Sequence, residues 1–361
     1  MKPYRELTRR SRLYRLRNLA KVALEAYGLS EARLSFIQYL ANIIYRVDVP
    51  GVAATLEDNS PYLPGRYLLR IHGMDDSAAI ASEMVWLTAL NQEAGLPVPA
   101  PLPMPGGELL ARIATPGIPN GRIVSVMRWV DGQRLERGLR PKHLMALGHV
   151  VAQMHTFSAH WQPPADFERP HWDWDAQLGG MAFDHTLDEL VASMPAHARQ
   201  PFLTVSQEAK QAMDALGKGS DAYGLIHADL YPENVLYKAG KACPIDFEDC
   251  GFGYWMWDIA VALCKWAWEQ DWERMRDAFY EGYSRVRILP AAQWAQLDLF
   301  LATQFATMVL WSSAFIMDDP MRAAEHEPWR EDSIHKLLQY FEGEGPIRRR
   351  MSYEHLNENA T

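Results

Sequence analysis

The chain has 361 residues, of which 48% are hydrophobic, and its formal net charge at pH 7 is −9. This size allows one large domain or two lobes without disulfide support, and three cysteines with no CxxC pair favour a reducing, cytoplasmic setting. We expect no membrane association, because no apolar stretch approaches the roughly 18 residues of a membrane helix and the N-terminus lacks a secretory signal core.

The N-terminal segment is strongly basic, with eight Lys or Arg against one Glu in residues 1–24. Such a segment could be a transit peptide or a nucleic-acid-binding arm. Leu13, Leu16, Ala20 and Ala23, however, recur at helical spacing, which favours an amphipathic helix within residues 1–28 that lies on the first lobe. The acidic remainder disfavours nucleic acid as a partner and favours cationic small molecules.

Strand-like segments dominate the next hundred residues, and we assign residues 1–130 to an N-terminal lobe. Their β-branched and aromatic content, bracketed by Gly and Pro, predicts five strands. One helix and a proline-rich connector interrupt them. The predicted strands lie within residues 33–49 (two strands and a tight turn), 64–73, 108–113 and 121–130, the helix spans 77–94, and the connector spans 95–107.

Helical periodicity prevails from Pro141 onward, and we assign residues 131–344 to a C-terminal lobe and 345–361 to a polar tail. The two lobes would meet near Val130–Gly132, and a cleft between lobes is a natural ligand site. The predicted helices span 143–160, 187–216, 255–270, 272–286, 291–317 and 331–341, and two short strands span 235–237 and 242–247.

The segment "HADLYPENVL", residues 227–236, followed by "CPIDFEDCG", residues 243–251, concentrates polar side chains. Antiparallel pairing of the strand after Asn234 with the strand before Asp246 would bring these two side chains together. Two oxygen donors suit Mg²⁺, which takes few protein ligands. Asp229 would then accept a proton from an attacking hydroxyl. In an isolated pattern, Asp and Asn more often cap turns.

The order of these residues is similar to that in the aminoglycoside phosphotransferase and choline kinase family, small-molecule relatives of the protein kinases. HxDxxxxN is followed by a strand, by Ile-Asp-Phe at 245–247 and by Asp-Ile-Ala at 258–260. The kinase template has Arg and Gly where this chain has Ala228 and Glu248. The likeness covers about residues 33–320 and implies an α+β, bilobal, protein-kinase-like fold with a five-stranded antiparallel N-lobe sheet, one main N-lobe helix and a mainly helical C-lobe.

The resemblance also implies ATP, with GTP not excluded, and Mg²⁺ as cofactors, and it assigns roles to the residues of the motif. Asn234 and Asp246 become the metal ligands. His227 shapes the catalytic loop, and Asp258 braces it. The implied catalytic residues are Asp229, Asn234 and Asp246.

In the first lobe, the family's phosphate-binding lysine corresponds to Arg70, which can still bind phosphate through its planar guanidinium. Glu83 is the implied partner of Arg70, and Arg66, on the same strand face, is its substitute candidate. No glycine-rich loop separates the first two strands. Asn42 and Tyr39 are candidates for hydrogen bonds to phosphate there, although a plain strand turn is the simpler interpretation.

The last strand of the first lobe is expected to line the adenine pocket. By resemblance, Met127 lies behind the base, and the Arg128 carbonyl and the Val130 amide face the purine edge. The alternative is that this segment is an ordinary buried strand whose edge backbone groups are hydrogen-bonded within the protein.

Acidic and aromatic residues after Asp246 are candidates for the acceptor pocket, because such a wall binds an ammonium group through charge and cation–π contact. The alternative is that the aromatic residues belong to the core of the following helix. The candidates are Glu248, Asp249, Tyr254, Trp255 and Trp257.

The expected function is ATP-dependent transfer of the γ-phosphate to a hydroxyl of a small molecule: an amino alcohol, a hydroxy amino acid or an aminoglycoside-like compound. The segments "LANIIYRV", "LLRIH" and "EMVWLTAL" resemble most the branch with type II homoserine kinases and bacterial stress-response kinases. A protein Ser/Thr kinase and a catalytically weak binding protein are the alternatives. "EHEPW", residues 325–329, lacks the second histidine of a zinc site and is interpreted as a charged loop.

Overall fold

The computed structural model describes residues 4–51, 61–135, 138–268 and 271–342. The predicted polar tail, and residues 269–270 at the end of one predicted helix, lie outside these ranges.

The N-terminal lobe is built on a five-stranded antiparallel sheet with strand order β1-β2-β3-β5-β4. This confirms the predicted sheet with its one main helix, α2. The elements are α1 (Arg9–Ala26), β1 (Arg33–Tyr39), β2 (Ile43–Asp48), β3 (Tyr62–Ile71), α2 (Ser77–Gln92), β4 (Leu110–Ile113) and β5 (Arg122–Val130).

The N-terminal helix α1 lies on one face of this sheet, as its spacing predicts. Leu16, Leu19 and Ala23 are fully buried and share a core cluster with Leu69 and Val126 of the sheet. The Thr8 hydroxyl accepts a hydrogen bond from the Ser11 amide and so caps the first turn.

Helix α2 covers the other side of the sheet. Its buried apolar residues belong to a core that continues into the second lobe. Met84, Trp86 and Leu90 belong to the same apolar cluster as the C-terminal helices. Trp86 meets Phe247, directly after Asp246, edge to face at 5.6 Å between ring centroids. The lobe that carries Arg70 is therefore packed directly against the segment that carries Asp246.

The C-terminal lobe is mainly helical, as predicted, and contains two small sheets with strand orders β10-β9-β6 and β7-β11-β8. Its helices are α3 (Pro141–Ser158), α4 (Trp174–Gln177), α5 (Leu187–Ser193), α6 (Ala196–Leu216), α7 (Trp255–Leu263), α8 (Trp272–Ser284), α9 (Ala291–Trp294), α10 (Leu297–Asp318) and α11 (Ala323–Glu342). Its strands are β6 (Gln133–Arg134), β7 (His171–Trp172), β8 (Tyr223–Ile226), β9 (Val235–Lys238), β10 (Lys241–Pro244) and β11 (Gly251–Tyr254).

Several predicted boundaries were wrong, and four strands (β6, β7, β8 and β11) were missed. The helix predicted over 187–216 is interrupted at Pro195, which leads into α6. The helix predicted over 291–317 is two helices, α9 and α10, and α7 ends at Leu263, short of the predicted residue 270.

The charged-loop interpretation of residues 325–329 was also wrong: they lie in α11, which contains Pro328 and buries Ile334 and Leu337. Packing of that apolar face outweighs one lost backbone hydrogen bond.

One segment, Ala291–Asp318, is long and apolar enough to cross a membrane by length and composition, although the sequence led us to expect none. In the structure 72% of its apolar window is buried inside the protein, which is the pattern of a core helix.

Helices α3 and α8 pack closely because each presents a glycine to the backbone of the other. A Cβ at Gly282 would lie far inside van der Waals contact of the Met145 carbonyl, and one at Gly148 would clash with the Phe279 carbonyl. No flexible side chain is there to move aside. The approach of these two helices therefore depends on the missing side chains.

We predict that Gly282→Ala lowers the free energy of unfolding by about 1–3 kcal/mol, although alanine is the better helix former. Chemical denaturation followed by circular dichroism measures the change. Arg274→Ala, at an exposed position of the same helix, is the control and should change stability by about 0.5 kcal/mol or less. An unchanged or higher stability of Gly282→Ala would contradict the proposed close contact.

Candidate active site

The predicted hairpin pairing is confirmed. Strands β9 and β10 pair antiparallel with Val235 opposite Pro244, and the Ile245 amide donates to the Asn234 carbonyl at 2.9 Å. Asn234 accepts this bond, and Asp246 directly follows its donor. The two residues therefore lie at the same end of one hairpin. Their roles as metal ligands remain a prediction.

Asp229 and Asn234 are in direct contact across the loop that separates β8 from β9. The Asn234 Nδ2 donates to the Asp229 backbone carbonyl at 2.8 Å and to Asp229 Oδ2 at 2.6 Å. A single 3₁₀ turn, Pro232–Asn234, shapes the loop between them. Because the amide nitrogen is used in this way, the amide oxygen is the Asn234 atom that can face a cation.

The loop backbone adopts a conformation that non-glycine residues rarely accept. Ala228 has φ = 68° and Asp246 has φ = 65°. Asp258, fully buried in α7, holds the first of them: its Oδ1 accepts from the Ala228 amide at 2.8 Å, and its Oδ2 accepts from the His227 amide at 3.2 Å. This geometry fits the bracing role that the resemblance implies for Asp258.

His227 links the two halves of the motif. Its Nε2 donates to the Ile245 carbonyl at 3.0 Å, and its Nδ1 accepts from the Asp229 amide at 3.3 Å. Burial lowers the pKa of His227 below its ordinary value, although Asp258 opposes this effect. A neutral ring with one donor and one acceptor matches both contacts, and the position fits the predicted loop-shaping role.

The sequence reasoning missed His155 of α3, the third partner of Asp258. Its Nε2 donates to Asp258 Oδ2 at 3.0 Å, and its Nδ1 accepts from the Tyr283 hydroxyl at 2.9 Å. His155 and Asp258 are fully buried, and burial lowers the pKa of His155. No motif spacing marks His155, because its partners lie more than 100 residues away.

Negative charge accumulates around residues 227–234, the candidate catalytic loop. Burial, followed by the neighbouring carboxylates Asp249 and Asp246, raises the pKa of Asp229 to about 8. Burial and Asp246 likewise raise the pKa of Asp249. These carboxylates destabilise one another's charged forms, which a bound cation would relieve.

The side-chain oxygen atoms of Asn234 and Asp246 fit a magnesium ion. Within the described residues, no group of three or more His, Cys, Asp or Glu side chains is arranged to hold a metal by itself. The Asn234 amide oxygen and the Asp246 carboxylate are two hard oxygen donors in an acidic environment, which suits an ion that also takes water and phosphate oxygens.

Arg70 forms the ion pair with Glu83 that the resemblance implies. Its Nη2 lies 2.5 Å from Glu83 Oε1, and both side chains are buried. Burial alone would lower the pKa of Arg70, but Glu83, with smaller contributions from Asp246 and Glu248, raises it. Arg66, the substitute candidate, instead pairs with Asp48 at 3.3 Å in a partly exposed position. We therefore withdraw Arg66.

Two further N-lobe candidates, Asn42 and Tyr39, lie in and just before the turn between β1 and β2. Asn42 is buried, accepts from the Gly73 amide at 3.0 Å and donates to Glu248 Oε2 at 2.5 Å, so it connects the two lobes. Tyr39 ends β1. The phosphate-binding interpretation of both stays open.

On β5, Met127 is buried in the main core, and Arg128 and Val130 fall on one strand edge by the two-residue period. The Arg128 amide donates to the Ala100 carbonyl at 2.8 Å. Part of this edge is therefore covered, as the alternative interpretation proposed, and the adenine contacts remain a prediction.

Arg169, which precedes β7, is another residue that the motifs did not reveal. Its guanidinium donates to the carbonyls of Glu248 and Cys250 and, at 3.1 Å, to the Ala79 carbonyl of α2. The neighbouring Glu168 amide donates to Ser82 Oγ at 2.8 Å. Arg169 thus joins the segment after Asp246 to the helix that carries Glu83.

The acceptor candidates divide into two groups. Tyr254 and Trp255 lie in the core and are withdrawn: the Tyr254 hydroxyl donates to the Met213 carbonyl, and Trp255 packs on the His155 ring. Glu248 faces Asn42 and Arg70. Asp249 and Trp257 do line a cavity that opens at the catalytic loop.

This cavity has a volume of about 770 Å³ and reaches from the β1–β2 turn to α11. Asp229 and Asn234 form part of its wall, and aromatic side chains form much of the rest. The aromatic residues are Trp172, Tyr231, Trp257, Phe305, Trp311, Phe315 and Trp329. Apart from Leu40, the named wall residues belong to the C-terminal lobe, so the predicted ligand site in the cleft between the lobes stays a prediction.

Comparison with known proteins agrees with this geometry. Residues 56–300 match the model of the phosphotransferase enzyme family. The chain is 26% identical over 253 residues to amicoumacin kinase of Bacillus subtilis (strain 168), with 67% of this chain and 66% of that protein aligned, just under two thirds of its length. It is 25% identical over 269 residues to homoserine kinase of Methylobacillus glycogenes, with 69% and 74% aligned.

Two solved structures share the fold. A microcompartment-associated aminopropanol kinase superposes with a TM-score of 0.73 at 24% identity, covering 92% of this chain and 99% of that one. An amicoumacin kinase in complex with AMP-PNP and Ca²⁺ superposes with a TM-score of 0.70 at 22% identity, covering 94% and 96%. Since the family model spans well over half of the chain, this protein belongs to the phosphotransferase enzyme family.

Proposed function

We propose that the protein transfers the γ-phosphate of ATP to a hydroxyl group of an amine-bearing small molecule. The observation that carries this proposal is that Asn234 and Asp246 lie at one end of a hairpin while Asn234 also contacts Asp229, and that Asp229 and Asn234 line a large cavity. The curated relatives are named as kinases of small molecules, and one structural neighbour of the same fold holds an ATP analogue and a divalent ion.

On the nucleotide side, the Arg70 guanidinium is kept charged and positioned by Glu83, and it would bind the triphosphate. The Asn234 amide oxygen and the Asp246 carboxylate would hold magnesium. When bound, this ion supplies positive charge to the phosphate oxygens.

On the acceptor side, Asp229 orients the substrate hydroxyl and accepts its proton. The hydroxyl oxygen forms a bond to the γ-phosphorus while the bond from that phosphorus to the β,γ-bridging oxygen breaks, and ADP leaves with that electron pair. Burial and the neighbouring Asp249 and Asp246 raise the pKa of Asp229, and a bound magnesium ion would lower it again by stabilising the carboxylate.

The charges of the cavity favour a cationic acceptor. Lys265 pairs with Glu233, and Lys336 pairs with Asp332 at 2.7 Å, so these two cations are already neutralised. Among the described residues of the cavity wall, the carboxylates Asp229 and Asp249 form no ion pair with Lys, Arg or His. An ammonium group beside the hydroxyl would meet Asp249 and the aromatic wall.

An acceptor screen tests the proposal. The protein is incubated with MgATP and separate sets of amino alcohols, hydroxy amino acids, aminoglycosides and serine peptides, and mass spectrometry detects a gain of one phosphate. We expect phosphorylation of amine-bearing alcohols. Nucleotide binding without hydrolysis or transfer to any acceptor would support a binding protein instead, and transfer to peptides alone would support a protein kinase.

Asp229→Asn keeps the size of the side chain but removes its basicity. We predict that it lowers kcat by about 100-fold or more, roughly 3 kcal/mol of barrier, with nearly unchanged ATP affinity. Steady-state kinetics and calorimetric titration with an ATP analogue give the two quantities. The exposed Asp221→Asn is the matched control, and parental turnover in Asp229→Asn would remove the catalytic assignment.

Asp246→Asn removes one negative charge from the proposed ion site. We predict that the magnesium concentration needed for half-maximal nucleotide binding rises by about tenfold, about 1.4 kcal/mol. Titration of magnesium at fixed nucleotide concentration measures this shift. If the titration curve is unchanged, Asp246 has a structural role only.

Arg70→Lys and Arg70→Ala together test the phosphate contact. The lysine variant keeps the charge and should retain nucleotide binding within about tenfold, whereas the alanine variant leaves Glu83 buried without its partner and should weaken binding by about 100-fold or more. Both constants come from calorimetry, with thermal unfolding as a check on folding. Unweakened binding by a folded Arg70→Ala protein would transfer the phosphate role to another residue.

A further inference from the structure

A second cavity lies at the turn of the β9–β10 hairpin, at the end away from Asn234 and Asp246. Its volume is about 360 Å³, and it shares none of its described wall residues with the cavity beside the candidate catalytic loop. Four segments form its wall: the connector that follows α2, one face of α3, the hairpin turn and the end of α8. This second cavity therefore borders both lobes but lies outside the proposed reaction site.

The wall of the second cavity is cationic, although the chain as a whole has a formal net charge of −9. Lys142, Lys241 and Arg285 line it, and no Asp or Glu is among its wall residues within the described part of the chain. His149 and Gln153 follow Lys142 on the same face of α3, at helical spacing. Positive charge and hydrogen-bonding side chains are thus concentrated in one concave surface.

The protein itself does little to neutralise these cations. Lys142 and Lys241 form no ion pair with any carboxylate that the structure describes. Arg285 pairs with Glu281, one turn earlier in the chain, but the two side chains are 57% and 53% exposed. Exposed pairs of this kind are weak, so the Arg285 guanidinium can turn toward another anion.

Helix packing brings Lys142 and Arg285 to the same cavity. A Cβ at Gly282 of α8 would lie 1.9 Å from the Met145 carbonyl oxygen of α3, so the two helices are in close contact at this point. Lys142 lies one turn before Met145, and Arg285 lies one turn after Gly282. Residues one turn apart share a helix face, so the two cations flank this helix contact.

The hairpin brings Lys241 to the start of α3. The ring of His143, the neighbour of Lys142, lies 5.1 Å from the Tyr237 ring of β9, measured between centroids. Tyr237 pairs with Ala242, which directly follows Lys241. The hairpin turn is therefore packed beside the first turn of α3, and the cations of three separate segments surround one cavity.

We propose that this second cavity binds a phosphate monoester, at a site separate from the active site. Such a group carries about two negative charges and three strong acceptor oxygens near neutral pH. Lys142 and Lys241 would supply positive charge, and Arg285 would bind two phosphate oxygens at once. His149 and Gln153 would bind polar groups of the attached molecule. A volume of about 360 Å³ suits a small ester of a few carbons.

The position of the second cavity couples it to the nucleotide site, a consequence that rests on the proposed function. Leu96 of its wall belongs to the connector after α2, the helix that carries Glu83. Gly240 of its wall belongs to the hairpin whose other end carries Asn234 and Asp246. An anion bound here contacts both lobes, and we expect it to raise nucleotide affinity about fivefold.

Glycerol 3-phosphate is the probe for this site, and glycerol is its uncharged counterpart. The full-length protein is first saturated with magnesium and a non-hydrolysable ATP analogue, so that the phosphate positions of the active site are filled. Equilibrium dialysis with the radiolabelled compounds then measures binding. We expect saturable binding of glycerol 3-phosphate with a dissociation constant of about 1 mM or lower, and no saturable binding of glycerol.

Charge-removing variants locate the bound probe. Lys142→Met and Lys241→Met, both at exposed positions, should each weaken glycerol 3-phosphate binding by about tenfold, and together by about 100-fold. Lys21→Met, at an exposed position of α1, is the matched control and should bind the probe like the parent protein. Thermal unfolding confirms that each variant is folded.

Absence of saturable binding to the parent protein, or binding that the double variant retains in full, would overturn the site. Calorimetric titration of the nucleotide analogue with and without saturating glycerol 3-phosphate tests the coupling, and equal nucleotide affinities would overturn that consequence. The proposed function is judged separately by the acceptor screen. Probe binding that depends on Lys142 and Lys241, in a protein that transfers no phosphate, would support the anion site and contradict the kinase proposal.

Discussion

The candidate active site depends on one buried carboxylate, Asp258. It accepts hydrogen bonds from the amides of His227 and Ala228 and from the His155 ring. Ala228 sits at a positive φ that its side chain disfavours, so the loop conformation has to be maintained by contacts outside the loop. A carboxylate with no solvent exposure is stable there because three donors surround it. These bonds fix the backbone just before Asp229, and Asn234 holds the Asp229 carbonyl and carboxylate from the other side of the loop.

A second constraint is the coupling of the two lobes around the proposed ion site. Asn42 reaches Glu248 from the N-terminal lobe, and Arg169 binds both the carbonyls after Asp246 and the helix that carries Glu83. The Arg70–Glu83 pair is therefore fixed relative to Asp246 by side-chain contacts as well as by the shared core. In the proposed function, Arg70 supplies the positive charge for the nucleotide phosphates, while the carboxylates Asp229 and Asp249 lie on the wall of the acceptor cavity.

Local patterns in the sequence predicted much of this arrangement. The hairpin that brings Asn234 and Asp246 together follows from two short strands and the turn between them, and the five-stranded sheet follows from alternation and turn residues. The pairing of Arg70 with Glu83 was predicted by resemblance and is present. These features were accessible because they depend on neighbouring residues or on an ordered motif.

The tertiary structure alone decided the rest. His155 and Arg169 meet their partners at sequence separations of 79 to 128 residues, and no spacing rule indicates such contacts. It also decided that Tyr254 and Trp255 belong to the core while Trp257, on the same helix as Trp255, faces the cavity. The sequence by itself determined the order and spacing of Asp229, Asn234 and Asp246, because this motif is local in the chain. Which side chains line the acceptor cavity depends on how α7, α10 and α11 pack, and packing is a property of the whole chain.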